Sequence, residues 1–284
     1  MRLANITADN FDLARTLDSG QVFHWEMCGA GFVGAIDEKA VYVEQRGETL
    51  SFCGVNAKTL GRYFSLDHPL AEICRSFPSD PAMSAAREFC RGLRIIRQPR
   101  WECLATFITS SMKQVAHIRQ MSQTLRQRYG TPLRISDCAV HTFPSADRIA
   151  QLTEEDLRAC ALGYRAKNLL ATARLVRGGE ADLDEWRKLP DESLRSRLCQ
   201  LPGVGAKVAN CVMLFAYERL RAFPIDVWIE RVLKQKYFPR RRRVSAVELR
   251  AFCETYFGEQ GGYAQQYLFH HARKGSGALA TNPK

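Results

Sequence analysis

The chain has 284 residues, 41 of them Lys or Arg and 30 Asp or Glu, for a formal charge of +11. A hydrophobic share of 46% gives ample core material and excludes a disordered chain. No apolar run approaches the roughly 18 residues that cross a bilayer, and the basic excess favours an acidic partner, nucleic acid first.

The opening residues, MRLANITADNFDLART, lack the apolar segment of a signal peptide. The ten cysteines (Cys28, Cys53, Cys74, Cys90, Cys103, Cys138, Cys160, Cys199, Cys211 and Cys253) form no C-x-x-C pair. Their scatter predicts reduced thiols in a cytosolic protein, most of them small buried hydrophobes, and argues against an iron–sulfur or zinc site. The histidines are dispersed too, apart from adjacent His270 and His271.

Residues 1–88 read as a small antiparallel sheet with flanking helices. The short β-rich runs QVFHWEM, GFVGAI, AVYVEQ and TLSFCGV are punctuated by Gly29, Gly31 and Gly47, the pattern of a meander. AKTLGRYFSL and LAEICRSF follow with helical character, and the two prolines of FPSDPAM end that segment. Residues 89–274 then read as helical throughout. WECLATFITSS carries apolar residues at helical spacing, and VAHIRQMSQTLRQRYG runs to a stop at Gly130. Ser145 and Thr153 are N-caps of the next two helices, the second followed by acidic residues that suit a helix start. AKNLLATARLVRGG ends in two glycines, and the last residues, 275–284, are expected to form a disordered tail. The fold class is therefore α+β, a small N-terminal antiparallel sheet domain followed by a large helical one.

Within the helical part, LCQL-PGVG-AKVANCVMLFAYERL is a helix, a tight turn and a second helix, a helix-hairpin-helix near residues 195–217. Gly203 and Gly205 permit backbone conformations closed to other residues and let another backbone approach. The free N–H groups of the second helix make an anion site at its positive end, which a DNA phosphate fits. The turn by itself reads equally as an ordinary interhelical connection. Lys207 lies in the first turn, where the helix dipole disfavours a cation, and its face continues through Cys211 and Leu214. Desolvation and a positive helix end both favour a neutral, nucleophilic amine. A lysine reaching solvent or holding a phosphate is the alternative. Asp226 precedes another helical pattern as its N-cap, and a carboxylate there is also placed to stabilise positive charge or move a proton. The run Arg240–Arg243 reads as a solvated loop or a strip along DNA.

A glycine-rich hairpin, a helix-borne lysine and an aspartate some twenty residues on resemble the helix-hairpin-helix DNA glycosylases. The blocks LDSGQVFHW (Leu17–Trp25), FITSS (Phe107–Ser111), LGYRAKN (Leu162–Asn168), LPGVGAKVANC (Leu201–Cys211) and YAQQYLF (Tyr263–Phe269) resemble those of the 8-oxoguanine DNA glycosylases, in that family's order. The resemblance spans nearly the whole chain. It implies a monomeric base-excision enzyme acting on double-stranded DNA with oxidised guanine, with glycosylase and β-elimination lyase activity and no metal or organic cofactor. It implies a cytoplasmic location, on the nucleoid in a bacterium or in the nucleus of a eukaryote, and no membrane partner. Lys207 would form a Schiff base at C1′, assisted by Asp226. The Gly20 carbonyl would accept the N7–H that separates 8-oxoguanine from guanine. Gln265 would read the Watson–Crick edge of the flipped base, and Phe269 and Cys211 would sandwich its ring. Gly203, Gly205 and Val208 would give their N–H groups to a phosphate. Taken singly, Phe269 and Gln265 read as a core aromatic and a surface amide, and Gly20 as a turn glycine.

The chain departs from the family pattern where the opposite strand is read. Met112, Lys113 and Gln114 stand in place of asparagines, and His117 in place of an arginine. Met112 would fill the gap left by the flipped base as an apolar wedge, with Tyr164 and Arg165 supplying the other wedge and the cytosine contact. This predicts weak discrimination among opposite bases. Trp228 replaces a histidine that commonly contacts a phosphate. Two rivals remain open on the sequence: a non-catalytic DNA-binding module, and a glycosylase for alkylated bases, whose members usually lack the helix lysine.

Overall fold

The computed structural model describes residues 2–111 and 113–275; Met112 and residues 276–284 of the expected tail lie outside the described residues. In chain order come β1 (Ala4–Thr7), α1 (Leu13–Asp18), β2 (Glu26–Cys28), β3 (Gly31–Ile36), β4 (Lys39–Arg46), β5 (Thr49–Cys53), α2 (Ala57–Tyr63), α3 (Leu70–Arg75), α4 (Pro81–Phe89), α5 (Arg100–Ser110) and α6 (Val115–Tyr129). Next are β6 (Pro132–Ile135), β7 (Cys138–His141), α7 (Ala146–Ala150), α8 (Glu154–Arg158), α9 (Arg165–Arg177), α10 (Asp191–Cys199), α11 (Ala206–Tyr217), α12 (Val227–Tyr237), α13 (Ala246–Tyr256) and α14 (Gly261–Lys274).

The five-stranded sheet has the order β1-β5-β4-β3-β2 and is antiparallel throughout. The alternation of β4 explains why both faces are covered. Val41 and Val43 point into one core with Leu50, Phe52, Leu60 and Phe64, whereas Tyr42 between them points to the other face, towards Val33 and Ile135. The expected meander is present, with three differences. First, β1 joins the β5 edge. Secondly, residues 21–25 do not form the expected strand. Gln21 holds that segment in an irregular path, donating to Ser19 Oγ (2.8 Å) and to the Arg94 carbonyl (2.7 Å) and accepting from Ile96 N (2.8 Å). Thirdly, the region after α6 is not wholly helical, because β6 and β7 form a hairpin that lies against the outer face of the sheet.

That hairpin also corrects the expectation of reduced cysteines. Cys28, at the end of β2, is disulfide-bonded to Cys138, at the start of β7, across 110 residues of sequence. Such pairing arises from the packing of hairpin on sheet, which cysteine spacing does not reveal.

The largest core belongs to the helices. It runs from Leu104 and Ile108 of α5 through Leu169 of α9 and Leu198 of α10 to Val212 and Leu214 of α11 and Tyr267 of α14. Two capping boxes start α8 and α13, at Thr153 with Asp156 and at Ser245 with Glu248. Helix α11 is apolar nearly all round, the composition of a central helix packed on several neighbours. It is this buried helix that carries the lysine.

Candidate active site

The turn between α10 and α11 is pinned from α9. Thr172 Oγ1 donates to the Pro202 carbonyl at 3.1 Å, and Asn168 packs so closely on Gly203 that a Cβ there would lie 2.9 Å from the Asn168 Cβ. Gly203 has φ +81°, a conformation that favours glycine. Gly205 is the N-cap of α11 and, lacking a side chain, leaves the first N–H groups of the helix without a side-chain cap. Gly203 and Gly205 are exposed, and the Val208 side chain is buried. The expected anion-binding end is thus formed by a backbone that two neighbouring side chains hold in place.

Lys207 is half-buried one turn above Cys211. Burial pushes the Cys211 thiol up to about 11, against the opposing pull of the Lys207 charge, so it stays protonated at neutral pH. The Lys207 Nζ lies 5.1 Å from the centroid of Phe107 on α5. Asp226 is the N-cap of α12, its Oδ1 accepting from Ile229 N at 2.8 Å, and burial raises its carboxyl above the ordinary value against the opposing pull of that bond and of Lys207. Lysine, thiol and carboxylate therefore form one electrostatic group drawn from α11 and the start of α12.

The second half of the site comes from α14 and the loop after α1. Gln265 is buried, 4% exposed, and its Oε1 has no hydrogen-bond partner among the described residues. One turn on, the half-buried Phe269 ring faces Gly20, where an added Cβ would lie 3.0 Å from Cε1. Gln266 fixes this approach by donating from Nε2 to the Ser19 carbonyl at 2.9 Å. Gly20 and Phe269, far apart in sequence, thus meet, with Gln265 one turn before Phe269 on α14.

The opposite-strand candidates fall differently. Tyr164 is 51% exposed, with the Arg165 guanidinium 4.4 Å from its ring centroid. Arg165 is itself buried and directed inward: its Nε donates to the Ser111 carbonyl at 2.8 Å, and Nη1 to that of Leu162 at 3.3 Å. His117 is exposed in the first turn of α6, and Met112 lies outside the described residues. Trp228 presents an exposed ring at the start of α12, with Arg231 5.6 Å from its centroid. In the sequence Phe107 stands out only as the first residue of the FITSS block. Nothing in its local spacing indicates that its ring lies beneath the lysine of another helix.

Residues 3–104 match the family model of the 8-oxoguanine DNA glycosylase N-terminal domain, and residues 105–255 match that of the HhH-GPD superfamily of base excision DNA repair proteins. The N-glycosylase/DNA lyase OGG1 of Arabidopsis thaliana is 30% identical, the match covering 93% of this chain and 78% of the plant protein. The N-glycosylase/DNA lyase of Saccharomyces cerevisiae is also 30% identical, with 95% and 85% covered. Among solved structures, the Clostridium acetobutylicum 8-oxoguanine glycosylase/lyase, in complex with double-stranded DNA containing cytosine opposite 8-oxoguanine, superimposes with a TM-score of 0.89 at 29% identity, covering 97% of this chain and 98% of that one.

Proposed function

The chain belongs to the 8-oxoguanine DNA glycosylases of the HhH-GPD superfamily, bifunctional N-glycosylases and DNA lyases of base excision repair, and on that footing we propose that it flips 8-oxoguanine out of duplex DNA and excises it through a Schiff base on Lys207. The observation that carries this reading is Gln265. A buried amide oxygen without a partner costs about 1–3 kcal/mol, and one that lies a turn before Phe269, whose ring faces Gly20, is explained by a ligand that supplies the missing donor. A purine edge does so, and the amide NH2 of the same side chain donates back.

In the reaction the amine of Lys207 gives its lone pair to C1′. The C1′–N9 bond breaks with its electron pair on the purine, which takes up a proton. The sugar ring then opens, O4′ leaving C1′ with its bonding pair and gaining a proton, as the nitrogen becomes an iminium. Loss of a C2′ proton expels the 3′ phosphate in the lyase step. Asp226 faces the cation formed at C1′ and nitrogen, where a fixed carboxylate in a water-poor site is most effective. Base extrusion costs a few kcal/mol, which contacts to Gly20, Gln265, Phe269 and Cys211 offset. The free N–H groups at Gly203, Gly205 and Val208 hold a phosphate, and residues 1–88 and 89–274 meet at the base slot. Discrimination among opposite bases is weak in this reading, since Arg165 is occupied by backbone carbonyls and His117 stands where an arginine is usual.

The test is borohydride trapping on a duplex with one 8-oxoguanine opposite cytosine. A covalent adduct with the wild type and none with Lys207→Gln is expected. Tight, salt-sensitive binding with no adduct returns the chain to a DNA-binding module or to another lesion.

A further inference from the structure

The ring of Phe107 is buried between two other aromatic rings. It is 3% exposed, stacked on Phe215 of α11 (centroids 5.5 Å apart, planes 12° apart), and met edge-on by Phe23 at 6.3 Å. Phe215 lies on the same face of α11 as Lys207 and Cys211, two turns beyond the lysine. The Lys207 Nζ sits 5.1 Å from the Phe107 centroid, within range of the negative face of an aromatic ring. Around that nitrogen lie Cys211 on α11, Cys103 one turn earlier on α5, and Asp226 at the start of α12. Both thiols are buried and, with burial raising them, uncharged at neutral pH. Burial likewise disfavours the charged form of Asp226.

We propose that Phe107 is a positioning residue for the excision reaction, an aromatic seat that fixes the Lys207 Nζ in place and stabilises the positive charge that forms on it. The proposal rests on the assignment of Lys207 as nucleophile. When the amine lone pair becomes the bond to C1′, and the electrons of the C1′–N9 bond leave with the purine, nitrogen changes from neutral to cationic; the iminium that follows is cationic as well. A ring quadrupole held by Phe215 and Phe23 is already oriented for that change, so nothing reorganises when the charge appears. An aliphatic residue of similar volume fills the same space without that field.

The experiment replaces Phe107 with mono-, di- and trifluorophenylalanine by nonsense suppression, alongside Phe107→Tyr and Phe107→Leu. Fluorine withdraws charge from the ring face with little change of shape, so packing stays while the attraction weakens stepwise. Single-turnover excision and borohydride trapping are measured on an 8-oxoguanine duplex, on the pH-independent plateau of the wild-type rate, with DNA affinity and thermal stability measured in parallel. The expected result is a rate that falls progressively with fluorination, by about two- to thirty-fold across the series, with unchanged DNA affinity, and near-wild-type activity in Phe107→Tyr. A flat series overturns the proposal even if Phe107→Leu is inactive, because Phe107→Leu then reports packing. Absence of an adduct in the wild type would instead remove Lys207 as nucleophile, an outcome the Lys207→Gln control separates from the slope at position 107.

Discussion

Gly20 and Phe269 meet without room for a methyl group, a Cβ at residue 20 falling 3.0 Å from Phe269 Cε1. The backbone at Gly20 has φ +86°, outside the range that alanine adopts easily, so Gly20→Ala combines strain with a push on the aromatic wall. Strain costs about 1–2 kcal/mol of stability. Displacing the ring by a few tenths of an ångström lowers excision by roughly ten- to a hundred-fold, because small misplacements of a bound substrate are costly. Affinity for undamaged duplex, which the proposed reading assigns to the hairpin, should stay unchanged. An excision rate equal to wild type would show that the wall is not a base contact.

Asp226 caps α12, and the proposed reaction also uses its charge, two functions that asparagine separates. Asn caps a helix as well as Asp, so Asp226→Asn keeps the bond to Ile229 N and shifts stability by less than about 0.5 kcal/mol. Loss of the charge lowers excision by about a hundred- to a thousand-fold. The pH dependence follows from burial, which lifts the Asp226 carboxyl above its ordinary value. In the proposed reaction the ionised form is the active one, so wild-type activity should decline with falling pH above the usual carboxylate range, and the variant should lack that limb. Stability changes in the opposite sense. A raised carboxyl binds its proton more tightly in the folded chain than in the unfolded one, so protonation of Asp226 favours folding. Loss of activity in acid with the fold retained by circular dichroism is the expected pattern; loss of both together would assign the limb to unfolding.

Much of this site is legible in the sequence, and the exceptions have physical reasons. Pro202, Gly203 and Gly205 mark the hairpin, and the apolar run after Lys207 shows that its helix is buried. Asp226 and Ser145 are readable as caps because capping is local chemistry between residues three apart. Strand β1, Ala-Asn-Ile-Thr, escaped notice because an exposed edge strand has no apolar alternation. The β6–β7 hairpin turns at Ser136, with φ +52°, between strands of four residues each, too short for a period to be visible. Residues 22–24 are all buried, which no half-covered strand allows; the long-range bonds of Gln21 dictate their path. Phe107 and Lys207 are brought together only by the packing of α5 on α11.

Glu218 ends the lysine helix in a left-handed conformation, φ +56°, and ties it to the N-terminal region. Its contact with His68 Nε2 at 3.9 Å, the hydrogen bond from Arg97 Nε and the charges of Arg97 and Arg62 hold its carboxyl down at about 2, Arg62 Nη2 lying 3.3 Å away. A depressed carboxyl stabilises the fold fully above the ordinary glutamate value, and the contribution is lost as pH falls through about 2. The side chain is 34% exposed, so solvent screening keeps the effect to about 1 kcal/mol or less. Urea unfolding of Glu218→Gln should show lower stability at pH 7 and a shallower decline between pH 5 and about 2 than wild type. Parallel curves for the two proteins would remove Glu218 from acid sensitivity.

The Cys28–Cys138 bond fastens the β6–β7 hairpin to the sheet edge. Closing so long a segment restricts the unfolded chain, and loss of the bond costs about 2–4 kcal/mol. Reductant and Cys28→Ser should lower the melting temperature by the same amount and not additively. Mass spectrometry after alkylation without reductant should find eight alkylated thiols, matching the cysteines outside the bond. Ten alkylated thiols and a melting temperature indifferent to reductant would mean that the bond does not form in solution.

Opposite-base selectivity tests the departure of this chain from its family. Arg165 is buried, with its donors on the carbonyls of Ser111 and Leu162, so a contact with an orphaned cytosine would require breaking those bonds. Lys113 and Gln114 are exposed where asparagines are usual, and His117 is exposed in the adjoining turn. One bidentate arginine contact discriminates bases by about 1–3 kcal/mol, roughly five- to a hundred-fold. With that contact missing, single-turnover excision of 8-oxoguanine opposite adenine should come within about three-fold of the rate opposite cytosine. His117→Arg should raise the preference for cytosine if position 117 reaches the opposite strand. A wild-type preference of a hundred-fold or more would show instead that Arg165 turns outward on DNA, which Arg165→Ala would then abolish.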